Sequence, residues 1–325
     1  MNRSRLLFVL PAVALLWGGE TITAGTLIRL RPVTAATRFL EEGNMVQPRG
    51  VAYDRKSGEI WVADSLSNLL GSFNAEGTPL FATSGGGMLH EPWRVAVDPW
   101  GGLWVVGADR TQVVHLDWRG NPFPAPVLEG LPEEPAIGAI AVDEEGNLYV
   151  GESNEGRIHV FDASLRPWFR FGSRGTDEAQ FSSIVDIAVV GDWVAVCDAV
   201  GTAVQLFNRR GEFVRGWGEH ALGAENFSLP QGITIDAKQR VIVVDALRQE
   251  IKFFDIKGNF LGRFGGLGSG PGQVSYPSGV TVDDTGLLYV AERGNGRVQA
   301  FAIEEVETPD PRPIQPRRKN SSRGR

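Results

Sequence analysis

Two charged residues, Arg94 and Asp186, stand where the sequence otherwise places Gly or Ala. Six segments align on a recurring pattern, and one position in them holds Gly50, Arg94, Ala139, Asp186, Gly232 and Gly279. A charge in a crowded setting needs a partner, water or a ligand, because an unpaired charge away from water is costly. Two readings stand. The pair neutralise each other, directly or through water, or they bind a ligand. Trp93, Arg49 and Gln231 precede the same position in their own segments and extend the candidate site to Arg49, Trp93, Arg94, Asp186 and Gln231. Trp93 has a second reading as a packing aromatic.

Other chemistry is sparse. The four histidines are His90, His115, His159 and His220. A catalytic zinc usually wants three protein ligands. Here His90 and His220 fall in loops, and His115 and His159 are not equivalent in register. His159 shares its position with Gly71, Val114, Gln205, Lys252 and Gln299, which reads as a solvated face. No His-Glu-x-x-His, Gly-x-Ser-x-Gly or phosphate-loop motif occurs. The Gly-rich run 265–272 precedes a strand and reads as a loop. Asp64, Glu152, Asp198, Asp245 and Glu292 recur at one position. They read as structural, holding the following turn or pairing with Arg157 and Arg297, with calcium as the alternative. No catalytic residue or metal ligand is assigned, and a divalent cation is the one cofactor left open. Cys197 lies in the apolar run Val194–Cys197 and reads as a buried, inert thiol.

The elements that must position these residues repeat. Each unit has a β-branched run closed by a turn (Ile233-Thr234-Ile235-Asp236), a second apolar run (Ile242-Val243-Val244-Asp245) and a third (Ile251–Phe254). Positions 54, 98, 143, 190, 236 and 283 mark the ends of the first runs and are spaced by 44, 45, 47, 46 and 47 residues. Several strands per unit at this period indicate a propeller. The fold class is therefore all-β, a six-bladed β-propeller over 36–303. Fourth strands are expected at Trp168–Phe171, Glu212–Trp217 and Asn259–Phe264. The last repeat, Tyr276–Phe301, lacks its own, and the isolated strand Arg38–Glu41 is expected to complete it and close the ring. In a propeller the first strand of each blade lines the channel, so the Arg94 and Asp186 position sits at the channel mouth.

The pattern Pro-x-Gly-(Val/Ile)-(Ala/Thr)-x-Asp followed by (Tyr/Trp)-Val-Ala-(Asp/Glu) resembles the NHL repeat. It is clearest at Pro48–Asp64, Pro230–Asp245 and Pro277–Glu292, and Phe264–Gln273 is close to the family's inter-blade linker. Repeat four departs most, with Ser183-Ile184-Val185-Asp186 in place of Pro-x-Gly and a first turn shortened to Gly191-Asp192. The resemblance implies the propeller fold. It is unspecific for function, since related propellers include protein- and RNA-binding modules and metal-dependent lyases and lactonases.

Charge narrows the partners. The chain of 325 residues carries a net charge of −7; residues 1–24 contribute +1 and 304–325 contribute +2, which leaves −10 for the rest. Nucleic acid, which needs a basic surface, is not the expected partner. Arg3, Arg5 and the apolar stretch Leu6–Trp17 read as a signal peptide over 1–24, ending at Ala24, or as an uncleaved anchor. Either reading places the remainder outside the cytoplasm, periplasmic or extracellular, with membrane contact only through that segment. Residues 25–35 read as a linker and 304–325 as a disordered, Pro-rich charged tail. The expectation is a monomeric, exported scaffold that binds a protein or small molecule through its loop rim and channel mouth. The alternative is a metal-dependent lactonase- or lyase-like enzyme.

Overall fold

The computed structural model of the protein describes residues 26–307. Both the proposed leader and most of the charged tail lie outside the described residues. Ile28–Glu305 forms one compact unit.

Six antiparallel sheets succeed one another along that unit. The first blade comprises Pro48–Asp54, Glu59–Asp64, Leu69–Phe73 and Pro79–Thr83. The second has three strands, Pro92–Val97, Leu103–Gly107 and Val113–Leu116. The third runs Ile137–Val142, Leu148–Glu152, Arg157–Phe161 and Pro167–Phe171. The fourth runs Ile184–Val190, Trp193–Asp198, Val204–Asn208 and Phe213–Trp217. The fifth runs Pro230–Ile235, Arg240–Asp245, Glu250–Asp255 and Phe260–Gly265. The sixth combines Pro277–Val282, Leu287–Glu292 and Arg297–Glu307 with the N-terminal strand Thr26–Ala36 on its outside.

The strands form where sequence periodicity places them because both faces of each sheet are buried against neighbours. The apolar side chains gather into six clusters, each shared by two successive blades. One joins Val204, Leu206 and Phe254 between the fourth and fifth blades. Another joins Val62 and Phe73 of the first blade to Tyr289 and Ala300 of the sixth, so packing runs unbroken around the ring. Turns are set by carboxylates. Asp98, Asp143, Asp236 and Asp283 each accept backbone N–H groups two and four residues ahead, at 2.8–3.0 Å.

Three expectations require correction. The outer strand of the sixth blade is Thr26–Ala36, not Arg38–Glu41, and residues 26–35 are therefore strand and not linker. Ile28 is buried and Leu30 packs beside it on the core between the fifth and sixth blades. Pro32 argues against a strand in the sequence, yet an outermost strand has no neighbour to receive its missing N–H. Arg38–Phe39 instead pairs with Gly43–Asn44 in a short hairpin. Its Phe39 is fully buried, and a Cβ on Gly71 would lie 2.1 Å from the Phe39 ring. The tail also begins later than expected, since strand geometry continues through Glu307.

Candidate functional site

Each blade's first strand pairs only with its second, so its other edge carries unpaired N–H and C=O groups toward the axis. Small residues sit where these edges crowd. A Cβ on Gly279 would lie 2.3 Å from the Arg49 carbonyl oxygen, and one on Gly50 2.8 Å from that of Trp93.

Arg94 answers this crowding in another way. Its side chain leaves the second blade and crosses the axis. Nε donates to the Val185 carbonyl at 2.8 Å, Nη2 to the Gln231 carbonyl at 2.8 Å, and Nη1 approaches the Ser278 carbonyl at 3.5 Å. One guanidinium thus ties the second blade to the fourth, fifth and sixth, and is only 3% exposed. Asp186 serves the complementary groups. Its Oδ2 accepts from the Ile233 N–H at 2.9 Å and its Oδ1 from the Ile187 N–H at 3.1 Å. No ion pair joins Arg94 and Asp186 directly among the described residues, but each feels the other's charge. Burial pushes the Asp186 carboxyl up to about 6, against the opposing pull of Arg94 and the two N–H groups. Burial likewise lowers Arg94, with Asp186 opposing.

The rim where the first strands begin carries the remaining candidates. The Arg49 guanidinium lies 4.3 Å from the Trp93 ring centroid, and Nε donates to Ser65 Oγ at 3.1 Å. Gln47 Oε1 accepts from Arg49 Nη2 at 3.1 Å. Arg49 is lowered to about 10, first by burial and then by the neighbouring charges of Arg293 and Arg94, with Glu91 opposing. Arg293 lies over the Tyr276 ring at 5.2 Å. Gln231 contributes its carbonyl to Arg94, while its side-chain amide returns to the Pro230 carbonyl at 3.2 Å. Arg49, Trp93, Arg94 and Gln231 therefore meet at one end of the axis, and Asp186 lies just inside it.

A channel of about 670 Å3 runs along the first strands. Asp186 lines it and Arg94 does not, so the Arg94 crossing closes the channel at the rim end. The opening lies at the opposite end, among Tyr53, Arg55, Lys56, Pro99 and Glu144, where the first strands finish. The rim residues and the open mouth are on opposite faces, whereas the sequence suggested one mouth for all. That mouth, Arg293 and Tyr276 have no marking in the sequence beyond ordinary turn chemistry.

The recurring acids are clamps. Asp198, fully buried, accepts from the N–H groups of Ser182, Ser183, Val200 and Gly201 at 2.6–3.0 Å. Asp64 holds Val46, Gln47 and Ser67, and Asp245 holds Ser228, Leu229 and Arg248, in the same manner. Glu292 also takes the Arg297 guanidinium at 2.8 Å. Cys197 is free and buried, and its thiol is pushed well up by burial and by Asp186.

The third-strand position read as a solvated face is instead buried at His159, Gln205, Lys252 and Gln299, and in the fourth, fifth and sixth blades it fastens an inter-blade loop. Gln205 takes the Ala179 N–H and donates to the Gln180 carbonyl. Lys252 donates to the Ala224 and Asn226 carbonyls, and Gln299 holds Gly272 and Gln273. His159 is 4% exposed, and burial lowers its imidazole. His115 is stacked between Trp104 and Phe123 at 3.8 and 4.5 Å, and His90 and His220 are exposed.

The NHL repeat family profile matches residues 274–301. Protein brain tumor of Drosophila melanogaster is 33% identical over 120 residues, 36% of this chain and 11% of that protein, so the chain spans about a tenth of the relative's length. A streptogramin B lyase structure superposes with a TM-score of 0.60 at 13% identity, covering 86% of this chain and 98% of that one. A gluconolactonase of Xanthomonas campestris gives 0.62 at 14%, covering 87% and 99%. At such identities these two likenesses concern the fold alone. The chain thus carries one stretch, residues 274–301, that matches the NHL repeat, within six sheets arranged as a six-bladed β-propeller.

Proposed function

We propose that this propeller is a binding scaffold whose rim around Arg49, Trp93, Arg94 and Gln231 receives an acidic segment of a partner protein. The observation that carries the reading is the convergence of Arg49, Arg94 and Arg293 at one end of the axis, where the charges of Arg293 and Arg94 add to burial in depressing Arg49. Like charges brought together in an acidic chain favour an anionic ligand. Arg94 is committed to backbone carbonyls and acts as the floor. Arg49 and Arg293 are half-buried above it, each stacked on an aromatic ring.

Apolar side chains around this centre favour a protein over a small anion. Leu66, Val200 and Leu247 are 58%, 59% and 55% exposed. Each stands two residues after a clamp acid, on the turn that borders the rim, because those acids pair with the first residues of the first strands. A basic centre within an apolar ring suits a peptide that alternates acidic and aliphatic residues.

The test uses a fluorescent peptide of alternating Glu and Leu, with a Lys and Leu peptide as control, titrated into the full chain. Arg49→Ala and Trp93→Ala are expected to weaken the acidic peptide at least tenfold while the melting temperature shifts by only a few degrees. Equal binding of the two peptides, or unchanged affinity in both variants, contradicts the reading.

The second reading, a lactonase- or lyase-like enzyme, rests on the Asp186 carboxylate inside the channel and on the fold likenesses above. It predicts one tightly bound divalent ion per purified chain, lost in Asp186→Asn. Elemental analysis showing a folded protein without that ion counts against it.

A further inference from the structure

We propose that the channel beneath Arg94 is a second, separate site, open on the face opposite the rim, and that it takes an amphiphile whose protonated amine meets Asp186. The volume of about 670 Å3 lies in the range of small-molecule sites. The channel is blind, because Arg94 spans from the second blade to carbonyls of the fourth, fifth and sixth. A ligand therefore enters and leaves at the Tyr53, Arg55 and Glu144 end.

The wall changes character along its length. The layer nearest the floor is β-branched at all six positions: Val51, Val95, Ile140, Ile187, Ile233 and Val280. The next is small, with Ala in four blades and Thr234 and Thr281 in two, which leaves the axis free. The third is aliphatic except for Tyr53. Charged groups return only at the mouth, where Asp54, Asp98 and Asp143 are each bound to their own turn N–H groups. Among the described residues Asp186 is thus the one side chain of the wall between floor and mouth that carries a charge near neutral pH.

The chemistry at that floor selects a donor. A carboxylate offers about four acceptor sites. Ile187 and Ile233 take one on each oxygen, so acceptor capacity remains toward the channel. The charged and titratable groups facing Asp186 are Arg94, from the second blade, and the Cys197 thiol, opposite it in its own sheet. The Arg94 donors point at carbonyls and its side chain does not line the cavity, so a ligand meets the carboxylate and not the guanidinium. At the mouth, Arg55 bridges Glu144 at 2.9 Å and approaches Asp284 at 3.5 Å. Exposed pairs of this kind are weak and yield to an entering chain.

The experiment compares n-octylammonium, n-octanol and n-octanoate by calorimetric titration into the full chain at pH 7.5. The ammonium is expected to bind at least tenfold tighter than the alcohol, with the carboxylate weakest. Asp186→Asn should bring the ammonium down to the level of the alcohol and leave the alcohol unchanged. Val190→Lys, a half-buried wall position at the end of its strand, should weaken the ammonium at least tenfold without touching the floor, so the test survives a poorly folding Asp186→Asn. Arg49→Ala, on the opposite face, should leave all three unchanged whether or not the rim binds peptide. Equal binding of the three probes, no binding by any, or full ammonium affinity in both channel variants overturns the proposal.

Discussion

Arg94→Met is expected to lower the melting temperature by about 10 °C. The substitution keeps an apolar stem of similar length but removes every donor. The carbonyls of Val185, Gln231 and Ser278 lose their partner, and Asp186 loses the opposing charge that offsets its burial. Removing one member of a buried charged arrangement typically costs about 3–5 kcal/mol, and each kcal/mol moves the midpoint by roughly 2–4 °C for a chain of this order of size. The double variant Arg94→Met/Asp186→Asn should be less destabilised than the sum of the singles, since neither charge is then left alone. Differential scanning calorimetry of the four proteins reads the coupling. A midpoint for Arg94→Met within about 2 °C of the parent would show that the crossing contributes nothing to holding the ring.

The same site gives a pH dependence. Asp186 is raised in the folded protein to about 6 from an ordinary 3.8, so between those values the folded chain holds a proton that the unfolded chain has released. Its contribution is full at the acid end and lost as pH rises through about 6. The stability of the parent relative to Asp186→Asn should therefore fall across that window, by at most roughly 1.4 kcal/mol per pH unit. A difference that is flat or rises with pH contradicts the assignment.

The second large effect concerns the outer strand of the sixth blade. A chain lacking residues through Ala36 should lose on the order of 5 kcal/mol, from the ladder hydrogen bonds of one strand and the burial of Ile28 and Leu30. It should also expose Arg297–Glu307 as an unpaired edge and form oligomers. Replacing the hairpin residues 38–44 with a flexible linker leaves the sixth sheet complete and removes only the Phe39 contact. Its loss should be the smaller one. Melting curves and light scattering on both variants check the order, and a truncation that melts with the parent as a monomer refutes the role given to Thr26–Ala36.

Much of the fold is legible because the repeats declare it. The β-branched runs, the Asp-based turns and the Pro-x-Gly starts recur, and each reports a backbone requirement common to all blades. The closing strand escaped because it carries no repeat signature. Only the alternation of Ile28 and Leu30 with Arg29 and Arg31 marks it, and Pro32 obscures even that. At the axis, the unusual residue types were visible at Arg94 and Asp186. Their partners were not, since backbone carbonyls and N–H groups have no sequence identity. The register position shared by Gly71, His159, Gln205 and Lys252 is opaque in the sequence for a related reason. Polar side chains imply solvent until the loop they fasten is seen above them.

The binding we propose at the rim around Arg49 and Trp93 has a direct readout. The most direct measurement is hydrogen–deuterium exchange of the full chain with and without the alternating Glu and Leu peptide. The expected result is slowed exchange in Met45–Gly50, Glu91–Arg94 and Arg293–Gly296, with the turns at Arg55 and Glu144 unchanged. Protection confined to those opposite turns, or absent throughout at saturating peptide, would contradict the account.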